Sequence, residues 1–347
     1  MTDSKKLFFG LKRSAEHDPK IKTVNFCLVR DLPSHYSLRN KIQFVYNQGN
    51  MNSCSANAVC QQLLLSDIKN SLNGEPQSRL YIYYNSRMID RGDCTSMLED
   101  CGATIPNVYK SIVDYSSVPE EMYEYNINLV NLPAPQHIYH HAIFKTTNPI
   151  MSYKRIDPVS LYSIKYCISV LKLPIMFGMS VFENFITLTR ENNLIDTKMG
   201  NLIGLHAVLL VGYNDIDQTV TILNSHGPEF GDGGFFRMSY QFLMDPTLCF
   251  EFYVINSEQK KRSICSDTSR SSSPMPKFSD LLPVEFTREK QENCLCPDSS
   301  FRSESFVCPG NCMGSLTRGS VDRYVRSDFI DLFHQIHSGE KVPVSYH

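Results

Sequence analysis

A turn runs directly into a helix in the stretch Gln48-Gly-Asn-Met-Asn-Ser-Cys54-Ser-Ala-Asn-Ala-Val-Cys60-Gln-Gln-Leu-Leu-Leu65, with a cysteine at the junction. Ser53 is a favourable N-cap residue, and the apolar side chains after it recur at helical spacing. Cys54 therefore falls in the first turn, where free backbone N–H groups and the helix dipole favour an anion. Because the thiolate is the nucleophilic form of cysteine, the stretch indicates either an activated nucleophile or a small buried side chain.

Two later stretches contain the residues that an activated cysteine needs. In Gly204-Leu-His206-Ala-Val-Leu-Leu-Val-Gly-Tyr213, the histidine is predicted to be the first residue of a buried strand. Another predicted strand ends at Asn224 and leads into a glycine-rich loop. A cysteine, a histidine and an asparagine can act as the nucleophile, its base and the group that orients the base.

Three motifs, in this order and spacing, resemble those of the papain-like cysteine peptidases. They are Gln-Gly-x-x-x-x-Cys from Gln48, Gly-x-His-Ala-Val-x-x-Val-Gly-Tyr from Gly204, and Asn-Ser-x-Gly-x-x-Phe-Gly-x-x-Gly-Phe from Asn224. Residues 79–87 and 99–105 are similar to a divergent, cathepsin-like branch of that family found in bacteria and large DNA viruses. The resemblance implies an α+β fold of two lobes, one helical and one a β-sheet or barrel, with the active-site cleft between them.

The resemblance also implies a reaction, the hydrolysis of peptide bonds by a thiol protease. Cys54 would attack the scissile carbonyl group, His206 would act as acid and base, and Asn224 would orient the imidazole. The side-chain amide of Gln48 and the backbone N–H of Cys54 would form an oxyanion hole. The expected partner is a peptide or protein substrate, and no cofactor is needed.

The chain departs from the family pattern in three places. The family usually has Cys-Gly-Ser-Cys-Trp at the nucleophile, whereas this chain has Met51-Asn-Ser-Cys54-Ser55. The tryptophan that shields the Asn–His hydrogen bond from water is replaced by His226, which predicts low activity or a shifted pH optimum. The glycine pair that usually lines the substrate cleft is reduced to Cys101-Gly102, so Gly102 is the candidate substrate-binding residue.

These departures leave a second function open, that of a catalytically weak or inactive module that binds peptides. The presence of all three catalytic residue types favours the peptidase. A third function, acyl transfer as in transglutaminase-like enzymes, fits less well. Those enzymes use a Cys-His-Asp set, whereas this chain has an asparagine at the third position.

Composition and charge narrow the class of protein. The chain has 34 Lys and Arg against 36 Asp and Glu, which does not predict a nucleic-acid partner. No apolar run approaches the roughly 18 residues of a membrane span, and the first residues lack the apolar region of a signal peptide. Twelve cysteines without an export signal predict reduced thiols. We therefore expect a cytoplasmic or virion-packaged protein that is not secreted, while the sequence leaves its oligomeric state open.

The 347 residues are enough for about two domains, and we divide them into three parts. Residues 1–25 form a short arm, which we expect on the domain surface; a short pro-segment in the cleft is the alternative. Residues 26–256 form the peptidase domain, with a helical lobe at about 45–150 and a β-rich lobe at about 151–256. Its strands are predicted at residues 174–181, 206–213, 219–224, 234–238 and 250–255.

Residues 257–347 contain a Ser-rich linker, a cysteine-containing segment and an amphipathic tail. Four cysteines in this part are either free thiols, which the spacing favours, or ligands of a structural zinc: Cys294, Cys296, Cys308 and Cys312. His137, His140 and His141 are similarly more typical of a solvated loop than of a metal site.

Overall fold

The computed structural model describes residues 7–15, 18–69, 74–90, 99–145 and 152–256. All of these lie in one compact unit formed by residues 1–92 and 98–258. The second unit, residues 93–97 and 259–347, lies outside the described residues, and so do the predicted linker, the four cysteines of the tail and its amphipathic stripe.

A sheet organises the C-terminal half of the described unit. Its strands follow the spatial order β4 (Ser152–Arg155), β10 (Cys249–Asn256), β5 (Ile175–Phe182), β7 (Leu202–Asn214), β8 (Thr219–Leu223), β9 (Phe235–Ser239) and β6 (Leu194–Ile195), and β2 (His35–Ser37) also pairs with β7. Neighbouring strands are antiparallel except β6 and β9. The helices α5 (Leu161–Ser169) and α6 (Tyr240–Leu243) accompany this sheet. The five predicted strands appear as β5 and β7 to β10.

His206 is not the first residue of its strand, so that prediction is wrong. Strand β7 begins at Leu202, because Leu202 to Leu205 continue the ladder with strand β5 and end it opposite Phe182. The exposed Leu202 hid this extension from the sequence pattern, which looks for a buried apolar run.

Four helices form the other half: α1 (Cys54–Lys69), α2 (Arg79–Asp90), α3 (Ile105–Tyr115) and α4 (Gln136–Lys145). Helix α4 contradicts the loop predicted around His137, His140 and His141. Pro135 stands just before the first helical residue, where a missing N–H costs little, so this proline marks a helix start. Ile138 and Ala142 are buried one turn apart on its inner face.

Helix α1 is the centre of the core and starts at Cys54, as predicted. All of its side chains from Cys54 to Ser66 are buried, the polar ones included. The Ser53 carbonyl accepts the N–H of Asn57 at 3.0 Å, which fits its place as N-cap, although the Ser53 hydroxyl bonds to Tyr125 and Asn57 side chains. Helix α1 packs against strand β7, and this contact brings Cys54 to the sheet.

A short parallel ladder joins the N-terminal segment to the helical half. Strand β1 (Leu11–Lys12) pairs with β3 (Ala103–Thr104), and Leu11 is buried. None of the helices in the described ranges is long and apolar enough to cross a membrane.

Candidate active site

Cys54 lies where helix α1 meets strand β7. Its side chain is fully buried, and its Sγ accepts a hydrogen bond from the N–H of Ala207 at 3.4 Å. Ala207 directly follows His206, so the strand carries the histidine to the cysteine across 153 positions of sequence. Two of the predicted site residues are thereby brought together.

The imidazole of His206 is buried and held by Asn224. Its Nε2 lies 2.7 Å from Asn224 Oδ1, and the N–H of Ser225 donates to the same oxygen at 2.8 Å. Since that oxygen is an acceptor, His206 Nε2 carries the proton. His206 Nδ1 has no hydrogen-bond partner among the described residues. Its lone pair is therefore the one that can take a proton from a thiol.

Gln48 is buried in the turn before helix α1, and both ends of its side-chain amide are fixed. Ser225 Oγ donates to Gln48 Oε1 at 2.6 Å, which turns the Nε2 end away from Ser225. Gln48 Nε2 then donates to the carbonyl oxygens of Met51 at 2.9 Å and Phe8 at 3.1 Å. The amide is thus oriented to bind a carbonyl oxygen near Cys54.

The chain's own residues 8–12 occupy this site. The carbonyl oxygen of Phe8 takes the Gln48 amide, and the ring of Phe9 meets the His206 ring edge-on, with centroids 5.5 Å apart. Gly10 accepts the N–H of Ala103 at 3.0 Å, and Leu11 and Lys12 continue as strand β1. These contacts place residues 8–12 against the predicted site residues, an arrangement that agrees better with the alternative of a short pro-segment in the cleft than with a surface arm.

Glycines at positions 10 and 102 allow residues 8–12 to lie in close contact with the backbone of Asn52 and Gly102. A Cβ at Gly10 would lie 1.9 Å from the carbonyl oxygen of Asn52, and a Cβ at Gly102 would lie 1.8 Å from the carbonyl oxygen of Gly10. Gly102 also has φ of +83°, a backbone conformation that favours glycine. The predicted substrate-binding glycine thus lies against a peptide, and that peptide is the chain's own.

The bound segment is not arranged for attack. The sulfur of Cys54 faces the backbone N–H of Gly10, whereas the carbonyl oxygen at Gln48 belongs to Phe8. These two groups belong to different peptide units. A nucleophile must reach the carbon of the same carbonyl group whose oxygen is stabilised, and here it meets an N–H instead.

Burial favours the neutral forms of Cys54 and His206 in this structure. It raises the pKa of the Cys54 thiol to about 11, against the smaller opposite effect of the N–H groups of Ala207 and Gly10. It lowers the pKa of His206 to about 3, and the neighbouring His226 adds to that shift. Both effects arise because a buried charge loses its hydration.

His226, predicted as a weaker shield than tryptophan, is itself bonded to the site. Its Nδ1 lies 2.8 Å from Asn224 Nδ2, and its ring stacks on that of His206 with centroids 5.1 Å apart. Sequence reasoning also missed Tyr125, whose hydroxyl donates to the Gln48 carbonyl at 3.0 Å, because Tyr125 belongs to none of the motifs. Ser225 was missed too, although it stands inside the quoted asparagine motif.

No group of three or more His, Cys, Asp or Glu residues that could hold a metal ion is found in the part of the chain that the structure describes. This search includes the histidines of helix α4. The candidate zinc ligands of the tail lie outside it.

Comparison with known proteins gives a consistent result. The family model for papain family cysteine proteases matches residues 32–245. A peptidase C1-like protein of Acanthamoeba polyphaga mimivirus is 32% identical over 269 residues, which cover 74% of this chain and 81% of that protein.

Among solved structures, xylellain, a cysteine protease from Xylella fastidiosa, aligns with a TM-score of 0.63 and 26% identity, covering 74% of this chain and 98% of that one. Digestive procathepsin L 3 of Tenebrio molitor larval midgut aligns with a TM-score of 0.53 and 16% identity, covering 68% of this chain and 74% of that one. At this lower identity the likeness concerns the fold alone.

Proposed function

The chain belongs to the papain family of cysteine proteases, and from this membership we propose a specific mechanism, peptide-bond hydrolysis through an acyl-enzyme on Cys54. The observation that carries the proposal is the contact of Cys54 Sγ with the N–H of Ala207, which directly follows His206 in strand β7. His206 offers a free Nδ1, Asn224 fixes the opposite ring nitrogen, and Gln48 presents an N–H to a carbonyl oxygen.

In the first half of the reaction, the Cys54 proton moves to His206 Nδ1, and the sulfur attacks the carbonyl carbon of the substrate. A C–S bond forms, and the carbonyl π electrons move to the oxygen, which Gln48 Nε2 and the Cys54 N–H stabilise. The C–N bond then breaks as the imidazolium gives its proton to the leaving amine. The product is a thioester on Cys54.

In the second half, water attacks the thioester while His206 Nδ1 takes a proton from it. The C–S bond breaks, the acid is released, and the proton returns to the sulfur. Asn224 accepts a hydrogen bond from His206 Nε2 throughout, so the ring stays in the orientation in which Nδ1 faces the sulfur.

The form described here is closed, and the proposal includes the displacement of residues 8–12 before a substrate binds. A Gly10→Val substitution provides an open form for tests, because its side chain would collide with the Asn52 carbonyl only while the segment lies in the cleft. Gly10 has no positive φ, so valine costs little in the displaced segment.

The test compares three full-length proteins on an unstructured protein substrate such as casein: Gly10→Val, Gly10→Val with Cys54→Ala, and Gly10→Val with Cys60→Ala. Cys60 is a second buried thiol of helix α1 and serves as the matched control. We expect loss of hydrolysis only with Cys54→Ala. If hydrolysis persists without Cys54, the mechanism is wrong. If the Gly10→Val protein binds peptides without cleaving them, the peptide-binding alternative replaces it.

A further inference from the structure

His226 stands two residues after Asn224, in the loop between strands β8 and β9, and is buried at 9% exposure. Its ring is nearly parallel to that of His206, with 23° between the planes. Phenylalanine rings enclose the two imidazoles: Phe9, Phe185 and Phe230. The two histidines therefore share one apolar compartment, in which the protonated nitrogen of each ring decides which hydrogen bonds that ring can make.

The hydrogen bonds fix which nitrogen of His226 carries its proton. Asn224 Oδ1 accepts from the Ser225 N–H and from His206 Nε2, so the NH₂ end of the amide points at His226 Nδ1 at 2.8 Å. A donor there requires an unprotonated Nδ1. The proton of neutral His226 thus sits on Nε2, which lies 3.4 Å from the Phe8 carbonyl oxygen.

We propose that His226 is a positioning residue for Asn224, and that it acts only while its Nδ1 is unprotonated. The Asn224 amide then bridges two imidazoles, accepting from His206 and donating to His226. A tryptophan at this position has only a donor nitrogen and cannot accept the amide N–H. The inference rests on the proposed function, because it assigns the group that holds the orienting asparagine.

Protonation of His226 would disrupt this arrangement in two ways. Nδ1 would become a donor facing another donor, and the ring would place a positive charge against His206, which must itself become charged during the reaction. Among the described residues packed around it, His206 on strand β7 is the titratable side chain in ring contact. The other neighbours are uncharged: backbone carbonyls of Phe8 and Tyr46, and the rings of Phe9, Phe185 and Phe230. Glu229, on the same loop as His226, is exposed. Burial also lowers the pKa of His226 to about 4, which keeps it neutral at neutral pH.

The first test reads the proton positions directly, in the full-length protein with nitrogen-labelled histidine. Proton–nitrogen correlation spectra at neutral pH should show His206 and His226 both protonated on Nε2. In His226→Phe the ring contact survives but the acceptor is lost, so His206 should show a mixture of tautomers. In His226→Gln the side-chain oxygen can accept the amide N–H, so His206 should return to the single tautomer. Circular dichroism of each variant reports whether it is folded.

The second test uses turnover in the Gly10→Val background. His226→Phe should lower kcat about tenfold at neutral pH with KM within twofold, because the affected group acts on the reaction and not on binding. His226→Gln should recover most of kcat and move the acidic limb of the pH profile to lower pH.

Equal His206 tautomers in the phenylalanine and glutamine variants would overturn the inference, and so would a His226 protonated on Nδ1 at neutral pH. The spectra do not depend on catalysis. A protein that lacks turnover but shows the expected tautomers would contradict the proposed function and still support the position of His226.

Discussion

At the scale of single residues, the proposed reaction depends on how firmly each polar group around Cys54 is held. Gln48 is the clearest case, because Ser225 anchors one end of its amide and frees the other for a carbonyl oxygen. This arrangement exists before a substrate binds, so its benefit appears in the transition state, where charge develops on that oxygen.

If Gln48 stabilises the oxyanion as proposed, Gln48→Ala lowers kcat about 100- to 1,000-fold in the Gly10→Val background, with a smaller effect on KM. Steady-state kinetics on a peptide substrate measures this. Ser225→Ala keeps Gln48 but removes the hydroxyl that bonds to its Oε1, and it should lower kcat about tenfold. A Gln48→Ala enzyme as fast as its parent would remove Gln48 from the oxyanion hole.

The pKa values of the two histidines predict that acid opens the cleft. In the closed form burial lowers them to about 3 for His206 and about 4 for His226, while in water both would titrate near about 6.5. The open form then binds protons that the closed form does not. The stability of the closed form is complete above about pH 6.5 and falls as the pH decreases toward about 4.

Hydrogen–deuterium exchange of residues 8–12 at pH 7 and pH 5, corrected for the intrinsic rate, checks this prediction. Protection should fall on the order of tenfold for each histidine that becomes accessible. Amides of the β8–β9 ladder serve as the internal control. Equal or greater protection of residues 8–12 at pH 5 would show that opening is not coupled to these protons.

The site residues that could be predicted from the sequence are those that stand in a recognisable local motif. Cys54, His206 and Asn224 each stand in a motif with local turn or strand signals, and Gln48 precedes the helix by a fixed spacing. The bond between Asn224 and His226 could not be predicted, because it depends on the orientation of an amide and a ring. Tyr125 reaches Gln48 across 77 positions with no local signal.

At the scale of elements, the segment of residues 8–12 covers the site. It is held by two pairs of a parallel ladder, by the Phe8–Gln48 hydrogen bond and by the close approach of Gly10 to Asn52. Gly10 is the point at which a single substitution would clash most directly with the rest of the site.

Gly10→Val should increase peptide hydrolysis by the full-length chain at least tenfold, because a Cβ at 1.9 Å from the Asn52 carbonyl oxygen requires one of the two to move, and we expect the segment to leave the site. The initial rate on a fluorogenic peptide measures it. Ala15→Val adds side-chain volume at an exposed residue three positions after the segment and should leave the rate unchanged. A Gly10→Val rate equal to that of the parent would mean that residues 8–12 do not limit activity.

Elements with a long apolar pattern were predictable, and short ones were not. Helix α1 and the strands β5, β7, β8, β9 and β10 appear where their sequence patterns predicted them. Strand β6 has two residues, and helix α4 begins directly after a proline that suggested a loop. The place of strand β1 could not be inferred, because its partner β3 lies about 90 positions away and only two residues pair.

At the scale of the molecule, a buried charge network supports the wall behind the site. The Arg79 guanidinium pairs with Glu120, donates to Asn57 Oδ1 at 3.0 Å, and lies 4.4 Å and 3.9 Å from the ring centres of Tyr46 and Tyr125. It thereby ties helix α2 to helix α1 and to the turn before Gln48.

Arg79→Met should lower the free energy of unfolding by about 3 kcal/mol, because it leaves the carboxylate of Glu120 mostly buried without a partner. Urea denaturation measures the change. Adding Glu120→Gln should restore part of it. Lys110→Met, which breaks an exposed i,i+4 pair with Asp114, should change stability by less than about 0.5 kcal/mol. Equal effects of the Arg79 and Lys110 substitutions would contradict a structural role for the network.

We propose Cys54 as the nucleophile of a peptidase whose own residues 8–12 close the site. Labelling with an epoxide that alkylates papain-like thiols, followed by peptide mass spectrometry, tests both parts at once among twelve cysteines. We predict slow labelling of Cys54 in the parent chain, fast and selective labelling in Gly10→Val, and loss of that selectivity when His206→Ala is added. Labelling spread over exposed cysteines such as Cys27, with Cys54 indifferent to both substitutions, would contradict the account.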